Sequence, residues 1–281
     1  MTSLIDIFRL MRVVNCLLAM LAVWVGAYMI TGRPTYFDTL VAGLSIFFIC
    51  AAGNILNDLI DRPIDRINRP SRVLVTGKVS PRQAYYLLAI CAIPGLLLSV
   101  AVNVQVFMIA LFAASSLVVY NFGLKKVPLL GNALIATLAG LMFFTGGFAA
   151  DPELALALPG PIIPAIFAFL IHLDREILKD IQDMCGDEAV GIRTLPMIIG
   201  TSRSLILILG IFLILVLGTL YPFLAGWYGQ TYKIITVYII DLPMLVLLIF
   251  VWGNPTPRML TITSIAFKVI MALGLIALIK S

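Results

Sequence analysis

Charged residues are scarce in this 281-residue chain: 19 Lys and Arg with 14 Asp and Glu make up 12% of it, against about 25% in a typical soluble domain. With so few charges and 62% hydrophobic residues, a water-facing surface would carry large adhesive patches. That excludes a soluble enzyme, a disordered tail and a nucleic-acid module, whatever the net charge of +5 suggests. Histidine is nearly absent, with His172 alone. The four cysteines, Cys16, Cys50, Cys91 and Cys185, lie far apart, three of them in apolar runs. None has the paired spacing of a zinc site or a disulfide framework, so they read as packing residues, and a soft-metal centre is excluded. The chain opens with no short apolar core followed by a small-residue cleavage site. Its first apolar run, Val13 to Ile30, is long enough to span and stay, so no segment is expected to be removed.

Long apolar runs, by contrast, are abundant. A spanning helix needs about 20 largely apolar residues. Cutting at charges, Gly/Pro clusters and polar turns gives nine candidate spans, at 13–31, 39–60, 83–102, 104–121, 129–150, 159–182, 204–226, 233–253 and 259–279, with the third and fourth separated only by the polar hinge at Asn103. Charge asymmetry orients them. With the N-terminus inside, the loops on that side collect Arg9, Arg12, Arg62, Arg66, Arg69, Arg72, Lys78, Arg82, Lys125, Lys126, Arg175, Lys179, Arg193, Arg203 and Arg258, whereas the other side receives Arg33, Lys233 and Lys280. The positive-inside rule then predicts an all-α polytopic membrane bundle of nine helices, one domain over 1–281, N-terminus cytoplasmic and C-terminus outside.

The acids are not scattered. Nine of the 14 fall in two stretches, Asp58, Asp61 and Asp65 in one, Asp174, Glu176, Asp180, Asp183, Asp187 and Glu188 in the other. In the first, Asn54, Asn57, Asp61 and Asp65 follow the three-and-four rhythm that stacks side chains on one helical face; in the second, Glu176, Asp180, Asp183 and Asp187 repeat it. Both stripes end at the cytoplasmic mouth, and each is followed by a basic, Gly-containing segment, 69–80 and 191–203. Carboxylates near hydrocarbon are expensive and mark sites by default. Two like-charged stripes facing one another need cations between them, and hard oxygen donors suit Mg²⁺ held together with substrate phosphates. The loop from Tyr120 to Lys126 adds Lys125 and Lys126, which suit a phosphate as point charges. Asp241 in the eighth span and Lys268 in the ninth are expected to pair across neighbouring helices, with contact to a substrate phosphate as the alternative role for them.

The segment Asn57-Asp58-Leu-Ile-Asp61-Arg-Pro-Ile-Asp65 matches NDxxDxxxD, and with the Tyr120–Lys126 loop, Gly131-Asn132 and the second acidic run 175–187 the chain resembles the UbiA superfamily of intramembrane prenyltransferases over nearly its whole length. The second run, followed by Gly191 and Thr194-Leu195-Pro196, and Arg12, Asn15 and Cys16 on the first span, are most similar to the branch that builds archaeal ether lipids, although Val13 stands where that branch often carries proline. The resemblance implies Mg²⁺-dependent transfer of a geranylgeranyl group from geranylgeranyl diphosphate to the hydroxyl of geranylgeranylglyceryl phosphate. It implies Asn54, Asn57, Asp58, Asp61, Asp65, Glu176, Asp180, Asp183 and Asp187 as metal ligands, with Asn57, Asp61, Asp65, Asp180 and Asp183 catalytic. Arg66, Arg69, Arg72, Lys78, Lys125, Lys126, Lys179 and Arg193 would neutralise the diphosphate; Arg12, Asn15, Tyr120 and His172 would meet the acceptor. The implied setting is the cell membrane, with the active site facing the cytoplasm. A prenyltransferase acting on an aromatic or tetrapyrrole acceptor and, from another class, a secondary transporter with charges at the midplane are the competing readings.

Overall fold

A computed structural model describes residues 2–32, 37–189 and 191–281; Arg33, placed above on the outer side, lies outside them. The described residues form helices and connecting turns with no strand. Short α1 (Leu4–Met11) is opened by a capping box between Ser3 and Asp6 and closes on Arg12, whose backbone is left-handed (φ 54°, ψ 52°). For a non-glycine residue that conformation is strained by about 1 kcal/mol or more. It turns the chain directly into α2 (Val13–Thr31) and sends the Arg12 guanidinium toward Asn54 and Asp58.

Helix α3 (Phe37–Ile60) carries the first acidic row to its end. Pro63 lacks an N–H and restricts Arg62 before it, so the chain breaks at Asp61 and resumes as α4 (Arg62–Asn68). Helices α5 (Pro81–Val102) and α6 (Val104–Phe122) meet at Asn103. That residue is extended, caps α6 through Val106 N–H at 2.8 Å and donates from Nδ2 to the Phe148 carbonyl, so the polar hinge read from the sequence is a true helix boundary. A 3-10 turn, Leu124–Lys126, leads to α7 (Leu130–Ala150).

The longest element, α8 (Ile162–Ala189), carries the second acidic row. It starts later than the expected 159 and runs past the expected 182, because its last turns are held by α4 rather than limited by hydrocarbon thickness. After α9 (Leu195–Ile199) come α10 (Thr201–Leu224), α11 (Gln230–Lys233), a π-helical stretch Ile234–Asp241 continuous with α12 (Leu242–Gly253), and α13 (Pro257–Ile279).

Among the described residues, eight helices are long and apolar enough to cross a membrane: α2, α3, α5, α6, α7, α10, the continuous 230–253 segment and α13. Helix α8, 28 residues long, rises about 42 Å, yet Asp174, Arg175, Glu176 and Lys179 interrupt its apolar run. The chain is a multi-pass membrane protein. Its outward apolar side chains, such as Ile90, Leu97, Ile214 and Phe250, are exposed, as a lipid-facing surface requires. Cys16 and Cys91 are buried and Cys50 half-buried, in keeping with packing; Cys185 is exposed and does not pack.

The helices close into a ring. Helix α2 packs on α3, α7 and α13; α3 on α5, α6 and α7; α8 on α7, α10 and α13. Backbones meet most closely where α2 crosses α7. There a Cβ on Gly146 would collide with the Val23 carbonyl oxygen, and one on Gly26 with the Phe143 carbonyl oxygen. Small residues of this kind are what allows helices to associate where lipid removes the hydrophobic drive. The ring encloses a chamber of about 810 Å³ lined from α2, α3, α6, α7, α8, α10, the π segment and α13.

Candidate active site

The chamber is strongly polar at one end and mostly apolar beyond, with Asp241, Ser264 and Lys268 as exceptions. Asn54, Asn57, Asn68, Arg69, Arg72, Tyr120, Glu176, Lys179 and Asp183 line its mouth, and Ala22, Ile46, Leu138, Met142, Phe143 and Phe167 its interior. The polarity follows from register. Along α3 the lining runs Ile46, Ile49, Cys50, Gly53, Asn54, Asn57, and along α8 Phe167, Ala168, Ile171, His172, Arg175, Glu176, Lys179, Asp183. In each case a single helical face changes from apolar to polar toward the same end.

The break at Asp61 does not disturb the first row, because the i to i−4 hydrogen bonds continue through it: Asp61 N–H to the Asn57 carbonyl and Asp65 N–H to the Asp61 carbonyl, both 2.8 Å. Every carboxylate of that row is held by a cation. Arg12 and Arg72 both donate to Asp58 Oδ1, at 2.5 and 2.6 Å; Arg72 also donates to Asp65 Oδ2 at 2.6 Å; Lys125 and Asn57 donate to Asp61 Oδ2 at 2.5 and 2.7 Å. Asp58, Asp61 and Asp65 are all buried. Burial pushes the Asp65 carboxyl up to about 6 even though the Arg72 charge opposes it, with repulsion from Asp58 and Asp61 adding to the rise. Burial likewise lowers the Arg72 guanidinium from its ordinary value.

In the second row, Lys179 donates to Glu176 at 2.7 Å, Asn132 to Asp180 at 2.9 Å, and Arg69 to Asp183 at 2.7 and 3.0 Å. The Arg69 bond joins the two rows, as does Asn68, whose Nδ2 donates to the Asp183 carbonyl at 3.1 Å. Gly186 makes this approach possible: a Cβ there would strike the Asn68 amide. Tyr120 sits within electrostatic reach of Glu176, Asp180, Asp61 and Asp187 at once, and Asp61 and Asp187 are close enough to repel one another. The rows borne by α3–α4 and α8 therefore converge at one end of the bundle. Gly186→Ala is expected to displace Asn68 and loosen that junction. Activity should fall on the order of 10-fold or more, with little change in thermal stability; equal activity of variant and wild type would show that the Asn68 contact is dispensable.

Arg12, Asn15, Tyr120 and His172, the residues expected to meet the acceptor, all line the chamber. His172 donates from Nδ1 to the Ala168 carbonyl at 2.8 Å, which orients its ring. Among the basic residues, Arg69, Arg72 and Lys179 line the chamber, and Lys125 lines a small adjoining pocket with Tyr120, Asn132, Asp180 and Asp187. Arg66, Lys78, Lys126 and Arg193 are exposed and line neither; Lys78 lies instead near Asp6. Asp174 is fully buried outside the chamber, with neither carboxylate oxygen hydrogen-bonded. The expected Asp241–Lys268 pair does not form. Asp241 accepts from the Thr219 hydroxyl at 2.8 Å instead, because α10 lies against the π segment and brings a neutral donor to the buried carboxylate. Asn68 and Asn132 hold Asp183 and Asp180 without any charge pattern in the sequence to mark them; only their position beside a motif points to them.

Among the described residues, no three His, Cys, Asp or Glu side chains converge on one point as a closed metal cage would. The donor set nonetheless fits Mg²⁺, which takes hard oxygens, usually one or two carboxylates with phosphate oxygens and waters rather than an all-protein cage. All the donors here are carboxylate or amide oxygens, set on two opposed rows.

A membrane bundle with an apolar chamber, whose mouth holds paired carboxylates and cations, is built for a long apolar molecule with an anionic head. The chain belongs to the UbiA prenyltransferase family, whose profile matches residues 18–269. It is 33% identical over 230 residues to the digeranylgeranylglyceryl phosphate synthase of Methanopyrus kandleri, covering 82% of each chain. A structure described as giving structural and mechanistic insights into the biosynthesis of digeranylgeranylglyceryl phosphate synthase in membranes superposes with a TM-score of 0.74 at 31% identity, over 99% of this chain and 98% of that one. A UbiA homologue of Archaeoglobus fulgidus bound to DMAPP and Mg²⁺ shares the fold at 23% identity, with a TM-score of 0.63 over 97% of this chain and 99% of that one.

Proposed function

We propose that this protein transfers a geranylgeranyl group from geranylgeranyl diphosphate to the hydroxyl of geranylgeranylglyceryl phosphate, releasing diphosphate. The observation that carries the reading is the convergence of the two rows, linked by Arg69 and Asn68 to Asp183, at the mouth of an apolar chamber. The relatives named as synthases of this lipid support the acceptor, and the fulgidus homologue bound to DMAPP and Mg²⁺ supports the donor class and the ion. In this reading α8 is a ninth span despite its charges, 1–281 is one domain, and the excess of Lys and Arg on the mouth side sets that side and the N-terminus in the cytoplasm of a cell-membrane enzyme, with the C-terminus outside.

Asn54, Asn57, Asp58, Asp61 and Asp65 on one row and Glu176, Asp180, Asp183 and Asp187 on the other would hold Mg²⁺. The ion supplies positive charge to the diphosphate oxygens as the allylic C–O bond breaks. Arg69, Arg72, Lys125 and Lys179 add fixed positive charge at the same oxygens, the kind of preorganised stabilisation that is usually the largest contribution to catalysis. The prenyl chain lies along Ile46, Leu138, Met142 and Phe167, which keep water from the cation-like carbon that develops. The acceptor hydroxyl, oriented by Asn15, Tyr120 and His172, forms the new ether bond. Its proton passes to an oxygen of the departing diphosphate or of the carboxylate rows.

The test is to incubate the membrane-embedded protein with geranylgeranyl diphosphate, Mg²⁺ and a panel of acceptors, and identify the products by mass. Geranylgeranylglyceryl phosphate should be consumed; a product from hydroxybenzoate, homogentisate or chlorophyllide alone would move the assignment to an aromatic or tetrapyrrole acceptor. Turnover with diphosphate release also separates the enzyme from a transporter.

A further inference from the structure

Lys268 stands midway along α13 on the stripe Pro257, Leu260, Thr261, Ser264, Lys268, Met271 that lines the chamber. An ammonium at that depth is expensive unless it faces a polar cavity and finds a partner. Asp241, the carboxylate expected to neutralise it, accepts from Thr219 through Oδ2 and leaves Oδ1 without a partner, and no hydrogen bond or ion pair to Lys268 exists among the described residues. The charges that act on it most strongly are Arg175, Arg12, Lys179 and Arg69, all of its own sign.

Within that group the negative charge is already taken up. Arg12 is paired with Asp58, Arg69 with Asp183 and Lys179 with Glu176. Arg175 reaches only Glu176 Oε1, at 3.3 Å, an oxygen to which Lys179 also donates at 3.0 Å, and its Nε is buried without a partner. Arg175 and Lys268 are thus two cations in surplus on the wall formed by α8 and α13, while Asp61 stands between α3 and α4 and Lys125 in the turn after α6. Ser264, one turn before Lys268 on the same face, offers a hydroxyl to the same space. A phosphomonoester carries a charge of about −1.5 to −2 and would balance this surplus.

We propose that Lys268, Arg175 and Ser264 form a second anion subsite, separate from the diphosphate residues, that receives the phosphate of the lipid acceptor. The subsite rests on the reading of the acceptor as a phosphorylated glycerol ether. It gives the acceptor phosphate cations other than those placed at the diphosphate and holds the acceptor by its head, so that its free hydroxyl faces the mouth.

Lys268→Met tests it in the full-length, detergent-solubilised protein. The KM for geranylgeranylglyceryl phosphate should rise on the order of 10- to 100-fold, as expected for a lost charge-assisted bond, while the KM for geranylgeranyl diphosphate stays at the wild-type value. On geranylgeranylglycerol, the same acceptor without its phosphate, wild type and variant should perform alike, and Lys268→Arg should restore the wild-type KM. A rise in the donor KM, an equal loss on both acceptors, or no change at all would overturn the assignment. Thermal stabilisation provides a readout that needs no turnover: the phosphorylated lipid should stabilise wild type more than the neutral lipid does, and Lys268→Met should lose that difference. If wild type forms no ether product yet keeps this phosphate-dependent stabilisation, the proposed reaction fails and the subsite stands; product formation without it sinks the subsite alone.

Discussion

Replacing Asp61 and Asp183 together by asparagine is expected to lower prenyl transfer by on the order of 10³-fold or more, with the protein still folded and inserted. The two residues stand on opposite rows. Asp61 accepts from Asn57 and Lys125, Asp183 from Arg69. Asparagine keeps the volume and one acceptor oxygen but removes the charge that a divalent ion requires. The folding cost is small at Asp183, because its ion pair with Arg69 is part-exposed, with side-chain exposures of 24% and 35%, and such pairs contribute about 1 kcal/mol or less. Since both rows are needed to grip one diphosphate, each single substitution should cost nearly as much as the pair, as for groups that act as a unit. Diphosphate release measured against Mg²⁺ concentration checks this. Lys78→Met, which changes an exposed residue outside the chamber, should leave the rate near wild type. A double variant that keeps a tenth of the wild-type rate would remove the two rows from the chemistry.

Much of this site was legible because its residues are written with a helical period. The spacing of Asn54, Asn57, Asp61 and Asp65 placed them on one face, and the face survives the break before Pro63 because the hydrogen-bond ladder runs through it. Other features have no period to read. Hydropathy detects the thickness of hydrocarbon, not the end of a helix, so α8 was expected to stop at 182 and instead continues to Ala189, where α4 packs on it. Opposite charges on neighbouring spans suggested an Asp241–Lys268 pair, but helix rotation decides partners, and it presents Asp241 to the Thr219 hydroxyl. Basic residues were likewise read by proximity to a motif. Of those after the first row, Arg69 and Arg72 turn inward, whereas Arg66 and Lys78 face out. The sequence distance is the same order in each case; the direction of the side chain is not.

Gly146→Val is expected to cost the protein its folded yield in detergent, or to lower its thermal midpoint by several degrees, through contacts that involve no site residue. At the crossing of α2 and α7 the Gly146 Cα faces the Val23 carbonyl oxygen and the Ala27 nitrogen, with Gly26 set reciprocally against Phe143. The obstacle to a side chain here is backbone, which cannot rotate aside as a flexible side chain would, so the helices must separate. Overpacking of this kind typically costs about 1–3 kcal/mol and more when backbone has to move. In lipid no hydrophobic gain opposes the separation, because the lost contact is replaced by equally apolar tails. Separation also reaches the chemistry: Ala19 and Ala22 on α2 and Met142, Phe143 and Thr145 on α7 line the chamber, and Arg12 and Asn15 ride at the start of α2. Gly210→Ala supplies the contrast. A Cβ there meets nothing within 4 Å, and replacing glycine inside a helix by alanine favours the helix by up to about 1 kcal/mol, so that variant should match or exceed wild type. Equal midpoints for the Gly146 and Gly210 variants would mean that the α2–α7 crossing yields easily and that the chamber owes its shape to other contacts.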